Sequence, residues 1–286
     1  MLTAGALAGA VLVARGGTDP LRLLGWFLTP LCVEGTVFST SRGSMLGLAL
    51  GLVLLAAMGF ARRGHRLAGL RVVLLTALSW ATTVFMAGPP VFTERASAIA
   101  GTSARSGTFV SNGTQRFEDW RRAWDIFCHW PVSGAGFNSY DAATTIASER
   151  RDGVTTAFAH NGFLQVMADG GLLLTVPVFT AVAVILLLGL RRLPSSLRAG
   201  EWTQPGALVI FFVLMLHSGM DFDWAYPSIL ALTAVAGAAA LPPVGPDGDV
   251  PRRRALLLGG AAVALLVLAA VAGWDGGLGI NADIAG

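Results

Sequence analysis

Lysine is missing from this 286-residue chain, and all twenty basic residues are arginine. Charge of either sign is scarce, at 13% of residues, with a net charge of +3. The arginines are scattered at the ends of apolar runs, which argues against nucleic-acid binding, since that requires a concentrated basic face. There are two cysteines, Cys32 and Cys128, in no metal-ligand spacing, so neither a zinc site nor a disulfide framework is expected. No cofactor and no metal are expected. No basic n-region precedes the first apolar run, so a cleavable signal peptide is not indicated. No ten-residue alternation of the membrane-barrel type occurs. What the chain has in excess is hydrophobicity, at 54% of residues and a mean hydropathy of +0.64. Such a composition belongs to a polytopic membrane protein. A backbone in lipid must satisfy its own hydrogen bonds, so the fold class is all-α.

A bilayer core takes about 20 apolar residues per helix. Eight runs are candidates, near 1–14, 22–39, 44–60, 68–88, 168–190, 205–221, 227–241 and 255–273, the first and seventh being short. The expectation is therefore about 7–8 transmembrane helices. Three loops carry clustered arginine: Arg62, Arg63, Arg66 and Arg71; Arg191, Arg192 and Arg198; and Arg252, Arg253 and Arg254. They fall on one side if all eight runs span, and the positive-inside rule makes that side cytoplasmic. The 89–160 loop then lies outside, and its seven arginines and seven acidic residues give it no positive bias. The expected organisation is a set of N-terminal helices over 1–88, an extracytoplasmic loop over 89–167 with short amphipathic helices, and C-terminal helices over 168–286. Met1 falls outside, so the first run is read as the remnant of a longer N-terminal region.

The polar island from Arg116 to Gly171 is where chemistry is expected, because a long ordered-looking loop in a membrane protein usually has a use. Over Arg116–Cys128 the spacing predicts an amphipathic helix, with Trp120, Trp124 and Cys128 in register and Phe117 and Phe127 beside them. Arg121, Arg122, Glu118, Asp119 and Asp125 fall mostly elsewhere on the wheel. Two readings of its arginines stay open: anchorage to lipid headgroups, or a forked grip on a phosphate-bearing substrate. His129-Trp130-Pro131 ends the helix, Gly134 and Gly136 permit a tight turn, and Phe137–Ile146 suits a short surface helix. His160 precedes Phe163, Leu164 and Met167, which places it at a helix N-terminus on the outer boundary. A helix N-terminus disfavours imidazolium, and a neutral imidazole is what a general base requires. A plain capping role is the alternative. Asn161 either orients a substrate hydroxyl or caps the helix. Gly170-Gly171 suggests a bend before the long apolar run. Asp221 and Asp223 are expected to pair with outer arginines, and Glu34 is a costly charge within an apolar run.

These pieces together resemble the O-antigen ligase and polymerase superfamily of bacterial membrane glycan transferases. Ser41-Arg42-Gly43 looks like its SRG helix start, and Arg116, Trp120 and Ala123 look like its R-x3-W-x2-A segment. Pro131, Gly134 and Gly136 match a P-x2-G-x-G turn, and His160-Asn161 followed by Gly170 and Gly171 match its histidine motif. His217–Pro227 resembles its D-F-x4-P segment. The resemblance covers about residues 22–241. It implies an inverting, metal-independent enzyme of the bacterial cytoplasmic (inner) membrane, working on the extracytoplasmic face. The implied donor is an undecaprenyl-pyrophosphate-linked glycan, and the acceptor is a glycan, lipid or protein hydroxyl, in ligation or polymerisation of surface polysaccharide. By resemblance His160 is the general base. Arg42 and Arg116 hold the pyrophosphate, with Arg121 or Arg122 as helpers and Asn161 beside them. The competing classes are a transporter or flippase of lipid-linked glycan, which only Glu34 favours, and a truncated non-catalytic scaffold.

Overall fold

The computed structural model describes residues 1–16, 20–39, 41–100, 107–147, 158–221, 223 and 226–241. Among them no strand occurs. The helices are α1 (Leu2–Arg15), α2 (Pro20–Phe38), α3 (Arg42–Phe60), α4 (Arg66–Ala100), α5 (Gly107–His129), α6 (Tyr140–Ala147), α7 (Gly162–Arg198), α8 (Thr203–Ser218) and α9 (Pro227–Ala240), with a short 3-10 turn over Arg63–His65. The expected 255–273 run and the 242–254 arginine loop lie outside the described residues. The chain divides into two compact units. One holds Met1–Val110, Ile185–His217 and Tyr226–Pro242, and the described residues of the other fall within Ser111–Val184 and Ser218–Ala225.

Four helical stretches are long and apolar enough to cross a membrane: Pro20–Phe38, Gly43–Phe60, Arg63–Met86 and Gly162–Arg198. The chain is thus a membrane protein. The helices α1 and α9, at 14 residues each, reach about 21 Å against a hydrocarbon core of about 30 Å. The short α1 is mostly buried, with Ala6, Leu7, Ala10 and Val13 fully enclosed and a narrow face of Gly5, Ala8, Leu12 and Arg15 less covered. A helix that is apolar all round belongs in an interior. Small residues let its neighbours come close. Side chains added at Gly9 and Gly25, on α1 and α2, would strike Thr29 and the Gly9 carbonyl, and Thr29 Oγ1 donates to the Ala6 carbonyl at 3.2 Å. On α3, Gly51 receives the Leu7 side chain, and on α8, Gly206 receives Val11. In lipid, such close approach supplies the dispersion and weak polar contacts that replace a hydrophobic driving force.

The second unit is built differently. Its core is small, formed by Ala123, Ile126, Ala135, Tyr140, Ala143, Ala159 and Ala168. Hydrogen bonds supply the rest. The Tyr140 hydroxyl donates to the Asp119 carbonyl at 2.7 Å. Burial, with the Asp119 charge adding to it, pushes the Tyr140 phenol well above its usual range. The Asp119 carboxylate accepts from Gln115 Nε2 at 3.2 Å and pairs with Arg122 Nη1 at 3.3 Å, all on the inner side of α5. Asp119 and Arg122 point inward, while Phe117, Trp124 and Cys128 are exposed.

The bend expected at Gly170-Gly171 is a break in α7 at Gly171 (φ 53°, ψ −152°). A break there removes the helical bonds from the Leu172 and Leu173 amides to the Ala168 and Asp169 carbonyls. The Pro131–Gly136 turn takes both sides of each lost bond. Leu172 and Leu173 donate to the carbonyls of Pro131 and Val132 at 2.8 and 3.1 Å, and Ala135 and Gly136 donate to those of Ala168 and Asp169 at 2.8 and 2.9 Å. The fit needs bare backbone: a Cβ on Gly134 (φ 69°) would overlap Asp169, and one on Gly171 would overlap the Val132 carbonyl. The two glycine motifs of the sequence are thus one joint.

Candidate active site

Three elements of the second unit converge where α7 begins. Asn161 caps α7: its Oδ1 accepts from the Leu164 amide at 3.1 Å, and its Nδ2 donates to the Gly219 carbonyl at 2.9 Å. That cap and the amide of Gly162, which donates to the Asp221 carbonyl at 3.0 Å, tie the helix start to the turn after α8. Of the two readings of Asn161, capping is the one seen. His160 stands just before the cap with φ 49°, in the left-handed region. That conformation costs a non-glycine residue roughly 1–2 kcal/mol, so the surrounding bonds must hold it.

The same contacts place the imidazole. His160 Nδ1 lies 3.7 Å from Asp221 Oδ1, beyond hydrogen-bond length. On the other side of that carboxylate, Arg116 Nη2 is 4.0 Å from Oδ2. Arg116 Nη1 also donates to the Met220 carbonyl. Asp221 therefore stands between a cation and a histidine. The side chains of His160, Arg116 and Asp221 are 35%, 43% and 29% exposed, so a substrate can reach all three. An exposed ion pair at 4.0 Å contributes at most about 1 kcal/mol. A guanidinium has five N–H donors, and a forked phosphate contact is stronger than this one.

The spacing of the arginine segment now has a reason. Arg116, Trp120 and Ala123 follow one another up one face of α5. Arg116 reaches the turn after α8, Trp120 Nε1 donates to the His160 carbonyl at 3.2 Å, and Ala123 is fully buried in the core beneath. Arg121 is exposed on another face, and Arg122 is buried against Asp119, so the structure does not bring these two expected helpers to His160 in the way it brings Arg116.

Arg42 belongs to the other unit. It is the first residue of α3, whose N-cap is Ser41, with the Ser41 side chain accepting from the Ser44 amide at 3.3 Å. The SRG glycine also has a packing role: a side chain on Gly43 would press on the His217 ring, and Ser44 Oγ lies 3.2 Å from His217 Nε2. Both cysteines are free thiols. Among the described residues no group of three or more His, Cys, Asp or Glu side chains comes together. Asp221, expected to pair with an outer arginine, does so with Arg116. Its place beside His160, 61 positions away in sequence, is what the spacing does not reveal.

A family model described as O-antigen ligase matches residues 28–179, which is 152 of the 286 residues. That range contains Arg42, Arg116, Trp120 and His160, and it ends within α7. No curated protein matches the chain, and no solved structure does.

Proposed function

This chain belongs to the O-antigen ligase family, and on that premise we propose that it transfers a glycan from an undecaprenyl-pyrophosphate donor to an acceptor hydroxyl. The observation that carries this reading is the Arg116–Asp221–His160 arrangement at the start of α7. His160 takes the proton from the acceptor hydroxyl as its oxygen attacks the anomeric carbon. The bond from that carbon to the phosphate oxygen breaks, and lipid pyrophosphate leaves. Attack from the face opposite the leaving group inverts the anomeric centre. A carboxylate beside Nδ1 favours the tautomer with its proton there, which leaves the Nε2 lone pair to accept the substrate proton. Asp221 then stabilises the imidazolium that forms, as a carboxylate does in hydrolase triads.

The leaving pyrophosphate gains charge as the bond breaks. Arg116 meets that charge, with Arg42 assigned to the same task; stabilisation of this kind is commonly worth several kcal/mol. Arginine performs it without a metal. Arg121, exposed next to Trp124, is assigned to lipid headgroups, and Arg122 to internal support of α5. Asn161 is assigned to positioning. The working face is extracytoplasmic, the membrane is the bacterial cytoplasmic (inner) membrane, and the helix count is about 7–8. The acceptor is a glycan, lipid or protein, in ligation or polymerisation of cell-envelope polysaccharide.

The test uses purified full-length protein, an undecaprenyl-pyrophosphate-linked oligosaccharide and a set of glycan acceptors, in excess EDTA. Transfer with inverted anomeric configuration is expected. Retained configuration, or activity abolished by EDTA and restored by a divalent cation, would overturn this mechanism.

A further inference from the structure

The left-handed backbone of His160 has a keeper that the proposed chemistry does not use. Gln165 lies one turn into α7, and its side-chain amide works in two directions. Its Oε1 accepts from the Ala159 amide, immediately before His160, at 2.8 Å. Its Nε2 donates to Asp169 Oδ1 at 2.9 Å. Asp169 is buried, and its own carbonyl accepts from Gly136 in the turn that repairs the α7 break. A chain of bonds thus runs from the α7 joint through Asp169 and Gln165 to the residue before the histidine. On the far side of His160, Trp120 holds its carbonyl and Gly162 is tied to Asp221. The usual capping box ties the N3 side chain to the N-cap amide. Here the grip comes from one residue further in and lands two residues ahead of the cap, across the strained position itself.

We propose that Gln165 is a positioning residue: by clamping the Ala159 amide it holds His160 at the conformation that presents its imidazole to Asp221. The proposal concerns the geometry of His160, and its catalytic consequence rests on the reading of His160 as base. Gln165→Met keeps the length and apolar bulk of the side chain and removes both hydrogen bonds. Gln165→Glu keeps an acceptor for Ala159 but sets a second carboxyl against Asp169.

Two measurements on the full-length protein separate the possibilities. In 13C-histidine-labelled protein, the His160 ring signals are identified by their loss in His160→Ala. They are expected to shift or split in Gln165→Met, with an intermediate change in Gln165→Glu. In transfer from an undecaprenyl-pyrophosphate-linked oligosaccharide, Gln165→Met is expected to lower kcat about 10-fold or more while donor KM stays within about 2-fold. A purely structural role would lower thermal stability and leave the ring signals of the folded fraction and its kcat unchanged, and that result overturns the proposal. Shifted ring signals together with an active His160→Ala would leave the positioning role standing and remove the base assignment.

Discussion

The two units of this protein solve the same packing problem in opposite ways. Around α1, neighbouring helices come close because Gly9, Gly25, Gly51 and Gly206 remove side chains from the crossings. Around α5 and the start of α7 the core is little more than alanines, Ile126 and Tyr140, and it is held by exchanged hydrogen bonds and one buried ion pair. The contrast follows from the surroundings. In hydrocarbon, unpaired polar groups are costly and apolar contact is no better than lipid, so shape carries the packing. A unit built to hold a charged, partly exposed site must keep polar side chains, and each of them then needs a partner.

The comparison can be broken at its strongest point by Asp119→Ala. Removing one member of this buried pair takes the carboxylate away from the Arg122 guanidinium, which costs about 3–5 kcal/mol. The thermal unfolding midpoint in detergent should fall sharply, and adding Arg122→Met should recover much of the loss. Gly171→Ala comes next. It adds a Cβ at φ 53° against the Val132 carbonyl, so a loss of about 2 kcal/mol or more is expected. Limited proteolysis should show cleavage near the Pro131–Gly136 turn before global unfolding. In the other unit, Gly9→Ala forces α1 and α2 apart, with an overpacking cost of about 1–3 kcal/mol. That loss should appear in thermal stability without any change in the His160 ring signals. The smallest effect belongs to Tyr140→Phe, which removes one buried hydrogen bond at about 1 kcal/mol. Because the folded-state phenol is raised, the stability it contributes is full below a pH of about 10, the unfolded value, and falls as pH rises beyond it. Tyr140→Phe should therefore flatten the loss of stability at high pH, measured by the unfolding midpoint.

Much of the helical organisation is legible because long apolar runs have only one stable form in lipid. The starts of α3 and α7 are legible as well, since Ser41 and Asn161 are good caps at their proper positions. Expectation and structure part where a residue's partner lies far away in sequence. The α5 wheel does not show that Asp119 and Arg122 turn inward to pair, with the Tyr140 hydroxyl of α6 on the Asp119 carbonyl. The 89–100 stretch, expected within the 89–167 loop, is helical as the end of α4. Two separate glycine motifs form one joint, and no local pattern shows that the Pro131–Gly136 turn will supply the bonds that Gly171 breaks. At the site, Arg116 and His160 stand out by type and placement. The pairing of Asp221 with an outer arginine is legible too, but its place beside His160 is not, because Asp221 arrives from the turn after α8.

The central claim is that His160 removes the proton during glycan transfer. The most direct measurement is the single-turnover rate of purified His160→Ala, with undecaprenyl-pyrophosphate-linked oligosaccharide at saturation and a competent acceptor. The account predicts a rate at least about 100-fold below that of the unmodified protein, the usual scale of lost general-base catalysis, with donor binding retained. A rate equal to that of the unmodified protein would contradict it.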